Sequence, residues 1–530
     1  MFGVNPNLIS SISNFQILEA KMNRVIIIGG GPAGSVMGSY LSMAGIKNVI
    51  LESAIHPRPH VGESMVTSST RVYNEIGFLP TMEKEGFPHK YGASWHDIIG
   101  RGASHIWFDE FPQEGVNQPY TYHVDRGKLD LLLLKHAQNL GSEIIQGVTV
   151  KQVLFDEKNY ATGVRVKIAD QEVDLPARMI VDASGRNTLL GRQLGIKKKD
   201  PIFNQYAVHA WFENVKRGEP DTADFIHIYF LPVERGWAWQ IPITDKITSM
   251  GIVAEKEVFM EAKGDIEGYF YKYVNSNEGL QYALSEARRI NEFKQEGDYS
   301  YSMDKFVGNG FMLIGDAARF VDPIFSSGVS IALYSAKYGS QFIRQAFETG
   351  DFSEEALIAR ANSELGDTLG NLLQRTSVLV HKNFQGNIPK PGKFTKEDKA
   401  LVEHANKVFE EANALMQKYE WHRAVETVWA FLHACNKYVN DQAPWQMQDR
   451  DRLATVLYVL VECLRLASIL TWPFIPATAE NISRQLGQKL GNFKKAKFKR
   501  STKGRLLQPE ILFRKIEAHD VECKPTEPAA

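Results

Sequence analysis

Short β-branched runs dominate the first part of this chain, and apolar residues at helical spacing dominate the last. Arg24 to Ile28 (RVIII) reads as a short buried parallel strand that stops at Gly29. A helical stretch runs on to Ala44, and a second strand, Asn48 to Leu51, ends at Glu52. Farther along, Trp237, Trp239 and Ile241 alternate at a period of two, which puts them on one face of a strand. After about Phe347 the texture changes. Asp351 stands as an N-cap acid with Glu354 completing a capping-box arrangement, and Leu357, Ala361, Leu365, Leu369, Leu372 and Leu379 follow at helical spacing. Further helices are predicted over 396–418, 421–440 and 450–470, giving an all-α bundle.

Composition narrows the class. At 530 residues the chain is too long for one ordinary core, and its 44% hydrophobic and 23% charged content is that of a soluble globular protein. A formal net charge of −1 leaves no whole-chain field for nucleic acid or membrane. The three cysteines, Cys435, Cys463 and Cys523, include no CxxC pair, which argues against a disulfide framework or thiolate zinc site. A cytoplasmic location and no metal are therefore expected. The apolar stretch 453–476 carries Glu462 and Arg465 near its middle, so it is read as a buried helix pair rather than a membrane span. Residues 1–21 lack the parts of a signal peptide and are expected to be a flexible extension before Met22.

The candidate chemistry begins at Gly29-Gly30-Gly31-Pro32-Ala33-Gly34, a GxGxxG turn between the first strand and its helix. Gly29 permits the tight turn, Gly31 lets a pyrophosphate approach the backbone, and Gly34 allows close helix–strand packing. The helix N-terminus faces the phosphates, and Glu52 is placed to accept from a ribose hydroxyl. Tyr122 to Arg126, followed by Leu129-Asp130, resembles the arginine-bearing segment of group A flavin monooxygenases, where Arg126 would contact FAD. Val181 to Gly185 (VDASG) and Gly310 to Ala318 (GFMLIGDAA) are similar to two further segments of that superfamily. In the second, Asp316 would hold the ribityl or pyrophosphate region; the plainer reading is a helix N-cap acid.

Two segments resemble the marks of flavin-dependent halogenases: Trp237 to Pro242 within GWAWQIP (WxWxIP), and Phe320 to Gly328 (FxxPxxSxG). The resemblance implies that a separate flavin reductase supplies reduced FAD. Oxygen and a halide ion then react at the flavin, and backbone N–H groups near Ser327 and Gly328 hold the halide. Trp237 and Trp239 would keep the organic substrate from the flavin, and the oxidised halogen would travel to a lysine beside that substrate. Lys90, in HKYGAS, matches the lysine of phenol- and pyrrole-type halogenases, and His60 to Ser64 resembles the family's VGES segment beside the flavin. Phe325 stands where tryptophan halogenases carry a glutamate, which points towards a phenol or pyrrole, free or tethered to a carrier protein.

The helical part resembles the anticodon-binding domain of methionyl-tRNA synthetases from Asp351 to Glu517. The matching stretches are 351–375, Lys437 to Trp445 (KYVNDQAPW), Trp472 to Leu486, and Ile511 to Glu517 with Arg514 in a proline's place. By that resemblance Asn371, Arg375 and Trp445 would read the CAU anticodon of tRNA(Met) by hydrogen bonding and stacking. Lys494, Lys495, Lys497, Lys499, Arg500, Lys503 and Arg505, interrupted by Phe493 and Phe498, form either a phosphate-contacting run or a solvated loop. HIGH and KMSKS are absent, so no aminoacylation is expected.

The fold class expected is α/β: a Rossmann-like FAD-binding domain with an inserted mixed β-sheet substrate domain over 22–350, an all-α domain over 351–517, and a disordered tail over 518–530. The function expected is halogenation of an electron-rich aromatic by an enzyme fused to a tRNA-binding module. Three other readings stay open. One is a tRNA-binding fusion whose flavin domain no longer catalyses, because the usual C-terminal lid is replaced. The others are a flavin-dependent aromatic hydroxylase and a chance joining of two genes.

Overall fold

The computed structural model describes residues 24–110, 118–200, 204–297, 300–320, 323–354, 356, 368–417, 421–491, 496–499 and 502–513. The chain divides into two compact units, one reaching to Glu354 and the other spanning Glu355–Glu522.

In the first unit, Val25–Ile28 is the centre of a six-stranded sheet, paired in parallel with Asn48–Glu52 on one side and Met179–Asp182 on the other. All residues of these three strands are buried, which is why they read as unbroken apolar runs rather than as alternation. Phe311–Leu313 and Glu143–Gln146 extend the sheet on the two sides. Helices Pro32–Met43, Arg126–Leu140 and Gly328–Thr349 contribute to the core on one face. Asp125 caps the second of these by accepting from Gly127 N at 2.8 Å.

A second, eight-stranded mixed sheet is built from residues 92–107 and 205–297, which interrupt the first fold. Its centre runs Gln205–Glu213, Ile247–Glu255, Trp237–Pro242, Ile226–Phe230, Gly92–His96, and the last pair is parallel. One face packs on its own helices through Tyr269, Phe270 and Tyr273. The other collects Trp237, Trp239, Ile241, Ala207, Val253, Ile226 and Ile228.

The second unit is helical: Asn371–Phe384, Lys396–Gln417, Trp421–Gln442, Arg450–Thr471 and Pro476–Gln485. By length and composition Arg450–Thr471 is apolar enough to cross a membrane, but its apolar window is entirely buried within the bundle. It is a single core helix followed by a short turn, not a helix pair within 453–476. Glu462 and Arg465 are buried in it as a bidentate pair at 2.8 and 2.9 Å.

Two expectations change at the junction. Phe352 is 4% exposed in the core of the first unit, so the boundary lies after Glu354 and not at 350/351. Asp351 does accept from Ser353 N at 2.9 Å, but Glu354 does not close a capping box. Its side chain pairs with Lys305 at 3.2 Å, and its N–H donates to Asn309. Leu357, Ala361, Leu365, Lys494, Lys495, Arg500, Arg514 and the segments 1–21 and 518–530 lie outside the described residues.

Candidate active site

A cavity opens at the C-terminal ends of Val25–Ile28 and Asn48–Glu52 and runs to the inner face of the second sheet. This is where ligands bind in open α/β sheets. Its floor is the glycine turn. Gly29 sits at φ +107°, a conformation that needs glycine, and a Cβ on Gly34 would lie 1.9 Å from the Gly29 carbonyl oxygen. A Cβ on Gly31 would project beside Arg58 Nη2 at 3.7 Å, so its absence leaves backbone open to a ligand. Gly29, Gly31, Ala33 and Glu52 all line the cavity, while Gly34 supports the turn from within the helix.

Glu52 accepts from Gly30 N at 2.6 Å and Ala54 N at 2.8 Å. Burial opposes its charge, but these bonds, the neighbouring His56 and Arg58 bring its carboxyl down to about 2. It is an ionised acceptor at neutral pH. Arg126 is buried, forms a bidentate pair with Asp130 at 2.8 and 3.0 Å, and donates to Val61 O at 2.6 Å. Burial alone would lower its pKa, and Asp130 raises it instead, so a fixed positive charge lines the cavity.

Asp316 lies in the short turn Gly315–Ala317 and lines the same cavity. It caps no helix: the N-cap position of Gly328–Thr349 is Ser327. Burial pushes its carboxyl up to about 6, against the Arg126 and Arg186 charges. Asp182 of the VDASG segment has a structural task, accepting from Ser184 N and Leu190 N at 2.9 and 2.8 Å.

Trp237, Trp239 and Ile241 face the cavity together, as their spacing predicts. The two indoles are 5.9 Å apart and inclined at 46°. Trp239 Nε1 donates to Ser249 Oγ at 3.1 Å, and its ring lies over Gly251, where a Cβ would fall 2.3 Å from the nearest ring atom. Trp237 also walls a second, apolar groove with Ile98, Ile99, Phe230 and Phe325. Phe325 is 66% exposed there. At the serine turn, Ser326 (φ +55°) and Gly328 line the main cavity, whereas Ser327 does not.

Lys90 is 1% exposed, the reverse of a solvated surface charge. Its Nζ donates to Met65 O at 2.8 Å and lies 5.3 Å over the Phe108 ring, and burial brings the amine down to about 7. It is not among the cavity-lining residues; it lies against Met65, whose preceding residues, Glu63 and Ser64, contribute to the wall. Sequence reasoning assigned no role to Glu63, Trp211 or Arg58. Glu63 Oε1 accepts from Trp211 Nε1 at 2.7 Å across 148 positions of chain. The only signal was an acid inside a Gly-Glu-Ser segment already placed beside the cofactor.

In the helical unit, Arg375 lies 4.9 Å from the Trp445 ring and donates to Asn440 Oδ1 at 3.1 Å. Trp445 is 48% exposed, and Asn371 is exposed one turn before Arg375 on the same helix. The expected trio thus shares one surface. The basic run behaves differently. Lys499 N donates to Glu462, Lys497 O accepts from Arg465, and Phe498 packs against the bundle core, so the backbone of 497–499 is anchored to the bundle.

Comparison with known proteins finds one family for each unit. The FAD binding domain family matches residues 22–338, and the anticodon binding domain of methionyl tRNA ligase matches 388–525, which leaves Asn371 and Arg375 outside the match. A 1H-pyrrole-2-carbonyl-[peptidyl-carrier protein] chlorinase of Pseudomonas fluorescens is 47% identical over 350 residues, covering 63% of this chain and 78% of that protein. The corresponding brominase of Pseudoalteromonas luteoviolacea is 32% identical, covering 63% of this chain and 80% of that protein. The myxobacterial chondrochloren halogenase CndH superposes with a TM-score of 0.59 at 31% identity, over 67% of this chain and 82% of that one.

Proposed function

We infer the reaction from one premise: this chain belongs to the FAD binding domain family and, within it, to the flavin-dependent halogenases. It carries an anticodon-binding domain of the methionyl-tRNA synthetase type in the same polypeptide. The substrate class proposed is a pyrrole carboxyl group held as a thioester on a carrier protein. The names of the two pyrrole-halogenating relatives support this choice, as does Phe325 in place of an acid.

The observation that carries the reading is the single cavity that joins a glycine turn to an indole wall. The residues present suit FAD. The turn admits no Cβ at Gly34, Glu52 is an ionised acceptor for ribose hydroxyls, and Arg126 offers a fixed charge. Bound FAD, reduced by a separate flavin reductase acting as partner, would supply two of the four electrons that take oxygen to water, the halide ion giving the other two as it is oxidised. The first turn of Gly328–Thr349, with Ser326 beside it, presents backbone N–H groups and a positive helix end to that anion. Trp237 and Trp239 exclude the aromatic substrate from the cofactor, which favours halogen transfer over hydroxylation. Lys90, a buried amine near its neutral form at pH 7, is assigned to receive and pass on the oxidised halogen.

The test combines the purified protein with FAD, a flavin reductase, oxygen, chloride or bromide, and a pyrrolyl carrier-protein thioester. Mass spectrometry should find halogen in place of ring hydrogen. A hydroxylated product, or none while the flavin is bound and turning over, overturns the assignment.

For the helical unit the proposed ligand is tRNA(Met), read at its CAU anticodon by Asn371, Arg375 and Trp445. The Arg375–Trp445 contact at a half-exposed indole supports this, because such platforms stack unpaired bases. Binding measured across several tRNAs should single out the CAU anticodon; equal affinity for all removes the proposal.

A further inference from the structure

We propose that Glu63 is the proton carrier of the flavin cavity, delivering the one proton that halogenation consumes while its carboxyl holds the indole wall in place through Ser249. The inference rests on the halogenation reading above. With the reduced cofactor counted in its neutral form, the reactants are that cofactor, oxygen, a halide ion, one proton and an aromatic C–H. The products are the oxidised cofactor, a carbon–halogen bond and two waters. The cofactor's two hydrogens, the displaced ring hydrogen and the added proton make up the four hydrogens of those waters. A buried cavity needs a group that brings that proton in.

Glu63 is built for the task. It is 4% exposed yet lines the cavity beside Trp239. Oε1 is occupied by the Trp211 N–H at 2.7 Å, and the Ser249 hydroxyl hydrogen-bonds the carboxyl as well. Trp211 and Ser249 face each other across neighbouring strands, and Ser249 accepts from Trp239 Nε1 at 3.1 Å. One acid is thereby tied to two indoles on three strands, so a change in its proton is felt at the wall.

Among the described residues no cation forms an ion pair with Glu63. Burial pushes its carboxyl up to about 7, and Asp125 adds to that push. The Ser249 and Trp211 hydrogen bonds and the Arg126 charge oppose it. On the sheet, His209 lies 5.7 Å from the Trp239 ring, and burial brings it down to about 4 and so leaves it neutral. Glu63 therefore exchanges its proton near the pH at which the enzyme works, as an efficient general acid must.

The decisive variant is Glu63→Gln, which keeps an oxygen for Trp211 and a donor for Ser249 but has no proton to give. Two measurements are paired. In cofactor-free protein, infrared difference spectra against E63Q should contain a carboxylic C=O band that disappears between about pH 6 and 8. In the loaded enzyme, E63Q should bind FAD as wild type does yet halogenate on the order of 10²-fold more slowly, with a flattened pH profile. Glu63→Asp, which retains an acid at shorter reach, should recover part of the rate. A halogenating wild type matched by E63Q in rate and pH profile, or the lack of a carboxyl titrating near neutrality, overturns the inference alone. A wild type that makes no halogenated product overturns the reading beneath it.

Discussion

The helical unit and the flavin unit both bury charge, but they treat it in opposite ways. In the helical unit Glu462 and Arg465 close on each other in a bidentate pair, and Asp398 accepts from Arg452 and Tyr438. In the flavin unit Glu63 and Lys90 are buried and Asp316 is half-buried, and among the described residues none has an opposite charge in ion-pair contact. In closed networks of the first kind each buried charge meets an opposite charge or a donor, and the pairing ties one segment to another. Lone buried groups of the second kind titrate near neutrality, the property expected where protons or oxidised halogen are handled. Arg126–Asp130 marks the border between the two: a closed pair inside the flavin unit that provides a permanent charge rather than a titrating one.

Removing half of a closed pair should do the most damage. Arg465→Met leaves Glu462 buried without its partner, and the helical unit should lose about 3–5 kcal/mol. Chemical denaturation followed by helical circular dichroism measures this, while flavin absorbance reports whether the other unit is spared. A loss below about 1 kcal/mol would mean that the pair behaves as an exposed one and that the contrast is false.

Lys90→Met tests the other side. Halogenation should fall on the order of 10²-fold or more, while the unfolding midpoint near neutral pH should hold or rise, because an amine kept in an apolar site is replaced by an apolar side chain. A variant that loses stability but keeps its rate would turn Lys90 into a structural residue. Next in size, Trp445→Ala should weaken tRNA binding by about 1–3 kcal/mol and leave the bundle's stability unchanged, since the indole is half exposed.

A pH signature of the two buried groups in the flavin unit sharpens the same comparison. Glu63 binds its proton more tightly folded than unfolded, so its contribution to stability declines as pH rises from the ordinary carboxyl value of 4.5 to about 7. Lys90 binds its proton less tightly folded than unfolded, so its contribution increases as pH rises from about 7 to 10.5. Relative to E63Q, the wild-type midpoint should therefore fall across the first interval. Relative to K90M, it should rise across the second. Differential scanning calorimetry at several pH values resolves both.

Much of this was legible in the sequence, and the limits are physical. The glycine turn, the strand carrying Trp237 and Trp239, and the helices of the bundle rest on local periodicity, which survives in one dimension. The Arg375–Trp445 platform was also reached, through a helix spacing and a matched QAPW segment. Contacts between distant segments were not. Nothing local tells that Trp211 meets Glu63, or that Lys90 is covered by the carbonyl of Met65. The unit boundary was misjudged for a similar reason: Phe352 looks like the opening of a helix, but it is claimed by the core of the preceding unit. At the serine turn nothing local shows that Ser326, at a left-handed backbone angle, lines the cavity while Ser327 does not.

Gly251 has no side chain, yet the placement of Trp239 depends on it. Anyone grafting the two tryptophans onto a different β-scaffold would also have to import that vacancy from the adjoining strand. Otherwise the indole would be levered off its shelf, and the partition between oxidant and arene would open.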